Sequence, residues 1–81
     1  MSSRTIFESF PPSEQQEFQD CCERQRYNRK EFEVTAIETD DGVRVVTVTR
    51  QGRESAYKAS EDRNWLADFA DDLANGCFGM P

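Results

Sequence analysis

From Glu31 onward the chain stops repeating every three to four residues and alternates every two. That change constrains the fold more than any other feature. Phe32, Val34 and Ala36 alternate with Glu33, Thr35 and Ile37. Asp40-Asp41-Gly42 interrupts the run, and Val43 to Arg50 resumes it with β-branched residues. Gln51-Gly52 interrupts again, and Arg53 to Ala59 forms a third, shorter run. Period-two patterning places alternate side chains on opposite faces of a pleated strand. Glycine-bearing turns between successive strands make hairpins, because glycine enters the left-handed region without a Cβ clash. Residues 31–59 therefore read as a three-stranded antiparallel meander.

The register follows from turn length. With Asp40-Asp41-Gly42 as a three-residue loop, Thr39 faces Val43, Ala36 faces Val46 and Val34 faces Val48. With Gln51-Gly52 as a two-residue turn, Val48 faces Ser55 and Val46 faces Tyr57. Phe32, Val34, Ala36, Val46, Val48, Tyr57 and Ala59 then share one face. Glu33, Thr35, Ile37, Val45, Thr47, Thr49, Glu54 and Lys58 share the other. A slip of one residue would scatter the apolar set across both faces, so burial selects this register.

Helical spacing flanks the meander. Residues 1–12 read as an N-terminal arm that docks through Ile6, Phe7 and Phe10 and ends at Pro11-Pro12. Residues 13–29 read as a helix, with Ser13 as N-cap, Gln16 completing a capping box, and a short stripe of Phe18, Cys21 and Cys22. Residues 60–75 form a second helix, N-capped by Ser60. Its apolar face is Trp65, Leu66, Phe69, Ala70 and Leu73. Gly76 fits the position just past its end. The tail, 76–81, folds back on Phe78. The expected architecture is one α+β domain over 1–81 in the order α-β-β-β-α, with the C-terminal helix on the apolar face of the sheet.

The composition excludes several kinds of chemistry. The chain has no histidine, and histidine is the usual general base near neutral pH. No nucleophile has a recognisable base motif beside it, and no phosphate-binding loop occurs. We expect no catalytic residues and no cofactor. Without histidine or a Cys-x-x-Cys pair, we expect no metal site. The cysteines, Cys21, Cys22 and Cys77, are odd in number and make a poor disulfide framework. They read as reduced thiols, the alternative being an intermolecular disulfide or redox switch through Cys21 or Cys22. No run approaches the roughly 20 apolar residues that span a bilayer. A cytoplasmic protein without a membrane partner is expected.

Charge is the feature that bears on partners. The net charge is −6, and the pI is near 4.5. Such a chain is repelled at long range by nucleic acid and by anionic lipid. A basic protein surface is therefore the expected partner, with no direct contact to nucleic acid. The charge is also segregated: residues 60–81 carry five acids and one base, whereas residues 21–30 carry one acid and four bases. The candidate binding patch is Glu61, Asp68, Asp71 and Asp72 on the last helix, joined by Glu38, Asp40 and Asp41 at the first hairpin. The basic run Arg24, Arg26, Arg29 and Lys30 suits a helix C-terminus. Arg44, Arg50 and Arg53 read as sheet-edge residues.

The α-β-β-β-α order, with Glu31-Phe32-Glu33-Val34-Thr35 opening the strands, resembles a double-stranded-RNA-binding domain. That family grips phosphates with a lysine-rich start to its second helix. Here the matching stretch is the acidic Ser60-Glu61-Asp62-Arg63-Asn64, so the resemblance is one of architecture. In size, acidity and element order the whole chain is similar to small phage-encoded anti-CRISPR proteins. That resemblance implies an inhibitor that covers a basic, nucleic-acid-binding surface of a CRISPR-Cas effector subunit, acting in the host cytoplasm. The alternative expectation is a structural or regulatory interaction module, joined as a homodimer through a sheet edge or through the Cys21–Cys22 helix.

Overall fold

The computed structural model describes residues 3–59 and 64–80. Among the described residues four strands are formed: β1 (Ser3–Ile6), β2 (Glu33–Glu38), β3 (Arg44–Arg50) and β4 (Arg53–Ala59). The two α-helices are α1 (Pro12–Arg24) and α2 (Trp65–Ala74), and single 3-10 turns occupy Phe7–Ser9 and Arg29–Glu31. The sheet order is β1-β2-β3-β4, and every neighbouring pair is antiparallel. The class is α+β, as the sequence predicts.

The predicted meander is present in its predicted register. Val34 faces Val48, Ala36 faces Val46, Val46 faces Tyr57 and Val48 faces Ser55. Phe32, Val34, Ala36, Val46, Val48, Tyr57 and Ala59 are all buried. Gly42 closes the first turn at φ 82°, with its N–H donating to the Thr39 carbonyl. The second turn is Gln51-Gly52, both residues at positive φ.

The sheet has a fourth strand where an arm was expected. Ser3–Ile6 pairs with β2, placing Thr5 opposite Ala36 and Ile6 opposite Thr35. Four residues are too few to show an alternation, but the outer edge of β2 carries unpaired N–H and C=O groups that need partners. Pairing also changes the arm's anchors. Phe7 and Phe10 are buried, whereas Ile6 points away from the core.

Both helices start later or end earlier than their polar patterns suggest. α1 begins at Pro12, with Pro11 as N-cap and no side-chain cap bond. Proline suits the first helical position because its φ is preset and its missing N–H would be unpaired there anyway. Ser13 thus lies inside the helix, and Gln16 donates to Asp20 rather than completing a capping box. α1 ends at Arg24, not at residue 29. The Tyr27 N–H donates to the Cys22 carbonyl and the Arg26 N–H to that of Glu23. This closing motif puts Arg26 at φ 65° and turns Tyr27 into the core, where its hydroxyl donates to the Gly79 carbonyl. α2 begins at Trp65, capped by the Asn64 side chain, which accepts the Leu66 N–H at 3.0 Å. The expected cap, Ser60, lies outside the described residues. At the other end Gly76 takes the predicted left-handed position, with the Cys77 N–H donating to the Asp72 carbonyl.

The core is aromatic. Phe18 of α1 stacks on Phe69 of α2 at 4.6 Å between ring centres. Phe32 meets both edge-on, and Phe78 packs against Phe32 and Phe69, so the tail anchors as predicted.

Two arginines expected at a sheet edge belong instead to the central strand β3 and to its core side. Arg50 is only 3% exposed. It donates to the Phe78 carbonyl at 2.7 Å and pairs with Glu31 at 3.0 Å. Its guanidinium lies 4.9 Å from the Tyr27 ring centre. Arg44 pairs with Glu14 of α1, whose carboxylate also accepts from the Trp65 indole at 2.8 Å. Arg53 does lie on an edge strand, β4.

Burial opposes ionisation of Glu14. The hydrogen bonds from Arg44 and Trp65 outweigh it and hold the carboxyl below its ordinary value. A depressed folded-state pKa contributes stability above the unfolded value, and that contribution is lost as pH falls through the folded one. Glu14→Gln is therefore expected to cost about 1–2 kcal/mol at neutral pH. In urea titrations at several pH values the gap to the parent should narrow as the pH falls below the ordinary value of 4.5. Arg26→Gly should stabilise by roughly 0.5–1 kcal/mol in the same assay, because only glycine is at ease in the left-handed region.

Candidate protein-binding face

α2 buries Trp65, Leu66, Phe69 and Leu73. A helix that buries these positions must turn residues 68, 71 and 72 to one common flank, since they are spaced i, i+3, i+4. That flank overhangs β4, the last strand of the sheet. Between them lies a groove of about 410 Å³ lined by Ala56, Tyr57, Lys58, Asp68, Asp71 and Asp72. The structure thus gathers three of the predicted acids along one cleft.

The three carboxylates are not equivalent. Asp71 is exposed, and Asp68 and Asp72 are half-buried. The Tyr57 hydroxyl donates to Asp72 at 2.6 Å. Burial, then this carboxylate, pushes the Tyr57 phenol well above its ordinary range. Tyr57 is therefore a fixed hydrogen-bond donor, and Asp72 ties α2 to β4.

The hairpin acids sit at one end of the sheet. Asp40 and Asp41 are exposed in the β2–β3 turn. Asp41 accepts from the Thr39 hydroxyl, and this bond leads the effects that lower its pKa; attraction to Lys58 also contributes. Lys58 therefore serves both groups: it lines the α2–β4 groove and its charge acts on Asp41. Glu38 ends β2, opposite Arg44 and Ser3. Glu61 lies outside the described residues.

Sequence reasoning missed Lys58 and the Tyr57–Asp72 bond. Tyr57 carried a signal: its register position is on the buried face, and a buried phenol needs a hydrogen-bond partner. The basic run at the end of α1 is partly absorbed into the fold. Arg29 lies 4.1 Å over the Phe7 ring and donates to the Phe32 carbonyl.

Cys21 and Cys22 are buried and Cys77 is exposed. Burial pushes the Cys22 thiol up to about 12 and also raises that of Cys21. Among the described residues no three His, Cys, Asp or Glu side chains are grouped to hold a metal ion, and no helix is long and apolar enough to cross a membrane. Comparison with known proteins finds no matching family model, no matching curated protein and no matching solved structure.

Only the thiolate reacts with alkylating reagents, and burial suppresses both thiolate formation and access. One cysteine, Cys77, should label in the native protein at pH 7.5, with Cys21 and Cys22 labelling only in denaturant. Mass spectrometry of the alkylated peptides checks this.

Proposed function

We propose that this chain is a non-enzymatic inhibitor that binds a basic protein surface through acidic residues, occupying a place that nucleic acid would otherwise fill. The observation that supports it is the α2–β4 groove, where Asp68, Asp71 and Asp72 line one cleft. Asp40 and Asp41 add negative charge at the end of the sheet. Opposite charges across an interface speed encounter and set specificity. The absence of histidine from the chain accords with a role in binding rather than acid–base catalysis.

Among the described residues no strand pairs with the outer edge of β4, and that edge complements this reading. In a two-residue hairpin the residues flanking the turn form a hydrogen-bonded pair. Arg53, Ser55, Tyr57 and Ala59 therefore turn their backbone groups toward β3, and Glu54, Ala56 and Lys58 turn theirs outward. An extended basic segment of a partner can add to that edge while its lysines or arginines reach the aspartates. By the likeness in size and charge to anti-CRISPR proteins, the proposed partner class is the nucleic-acid-binding surface of a CRISPR-Cas effector, in the cytoplasm of a host cell.

Purified effector complexes freed of their nucleic acid should be captured by the immobilised chain, and the nucleic-acid-loaded complexes should not. Capture should be competed by nucleic acid and weakened by salt, because exposed charges are screened. Asp68→Lys combined with Asp71→Lys should lower affinity by roughly tenfold or more. If no effector is captured, or the double variant binds as tightly as the parent, the reading fails.

A further inference from the structure

The described helices cover one face of the sheet; on the other, Glu33, Ile37, Glu54, Ala56 and Lys58 are exposed. Arg4 and Ile6 of β1 stand beside Ile37 and Thr35 of β2 on this second face, as the pairing of Arg4 with Ile37 and of Ile6 with Thr35 requires. Val45 continues the Arg4–Ile37 row on β3, and Lys58 completes it on β4. Ile6 is 56% exposed and Ile37 42% exposed. With half-buried Val45 they form a contiguous apolar patch in an otherwise threonine-rich surface. β-branched residues packed in a sheet are what the inner faces of two-sheet sandwiches present to each other.

The charges on this face are ordered. One end carries the basic row, Arg4 and Lys58. Four residues along, past the middle row of Ile6, Thr35, Thr47 and Ala56, the other end carries the acidic row, Glu33 and Glu54, joined across the sheet by Thr49. The face is neutral although the chain carries −6. A twofold axis lying in the interface, perpendicular to the strands and over the middle row, sets each row of one copy against the opposite row of the other. Glu54 then lies over Lys58 of the second copy, and Glu33 lies next to its Arg4. In the middle row Ile6 meets Ile6 of the second copy, while Ile37 and Val45 lie over its Glu33 and Thr49. A surface that matches itself under a twofold rotation is what an isologous dimer needs.

We propose that the open sheet face is a homodimer interface, in which two copies pack face to face with Glu54 against Lys58 and Glu33 against Arg4. Apart from Ala56 and Lys58, no residue of this face belongs to the α2–β4 groove.

Sedimentation velocity over a range of concentrations, with and without reductant, tests the assembly. A concentration-dependent dimer that is insensitive to reductant is expected. Glu54→Lys and Lys58→Glu should each weaken it at least tenfold, and the two together should restore it to within about threefold, the signature of direct coupling between neighbours. Ile6→Lys, which sets two like charges against each other across the axis, should leave a monomer with the parent's circular dichroism. Should that variant unfold, the charge exchange between Glu54 and Lys58, at exposed positions, still decides. A monomer at every concentration, a dimer lost on reduction, or a dimer indifferent to the charge exchange overturns the proposal.

Discussion

The stack of Phe18 on Phe69, with Phe32 set edge-on to both, is the contact on which the rest of this molecule depends. It is the point where α1, α2 and the sheet meet. In a chain of this size the core is thin, because small domains bury a smaller fraction of their surface. Three rings in mutual contact supply the large buried areas that short aliphatic side chains would not. Phe78 closes the cluster from the tail, and Arg50 holds that tail by its carbonyl while resting on Tyr27. A cation in the core is tolerated because its charge is paired with Glu31 and its planar face lies on an aromatic ring.

The same contact decides where the negative charge appears. Once Phe69 is buried under Phe18, the rotation of α2 about its own axis is settled. Asp68, Asp71 and Asp72 must then emerge over β4. Tyr57, buried by the register of the sheet, meets Asp72 there and fixes the spacing between helix and strand. Core packing and the acidic groove are thus two consequences of one helix orientation. The acids around the groove are held by structure, and Lys58 moderates their field.

The opposite face of the sheet follows a different logic. Among the described residues it is left exposed because both helices are used on the first face, and its neutrality separates it from the acidic side of the molecule. A strongly negative protein resists self-association through most of its surface. A neutral, self-matching face is where that resistance is least.

Much of this could be read without coordinates. The turns at Asp40-Asp41-Gly42 and Gln51-Gly52 and the period-two runs between them determined the register of three strands and the membership of both faces, because a one-residue slip would expose the apolar set. The i, i+3, i+4 spacing of Asp68, Asp71 and Asp72 determined that they share a flank of one helix. Other features were decided only by tertiary structure. Ser3–Ile6 is a strand because β2 offered an open edge, not because four residues show a pattern. Arg50 is buried and Arg44 half-buried on the core side because β3 came to lie in the middle of the sheet, where long cations had to find Glu14, Glu31 and aromatic faces. Local periodicity encodes which side of an element is buried, whereas what lies against that side depends on residues far away in the chain. For that reason the sequence could place the acids on a helix, and only the fold could set Lys58 and Tyr57 beside them.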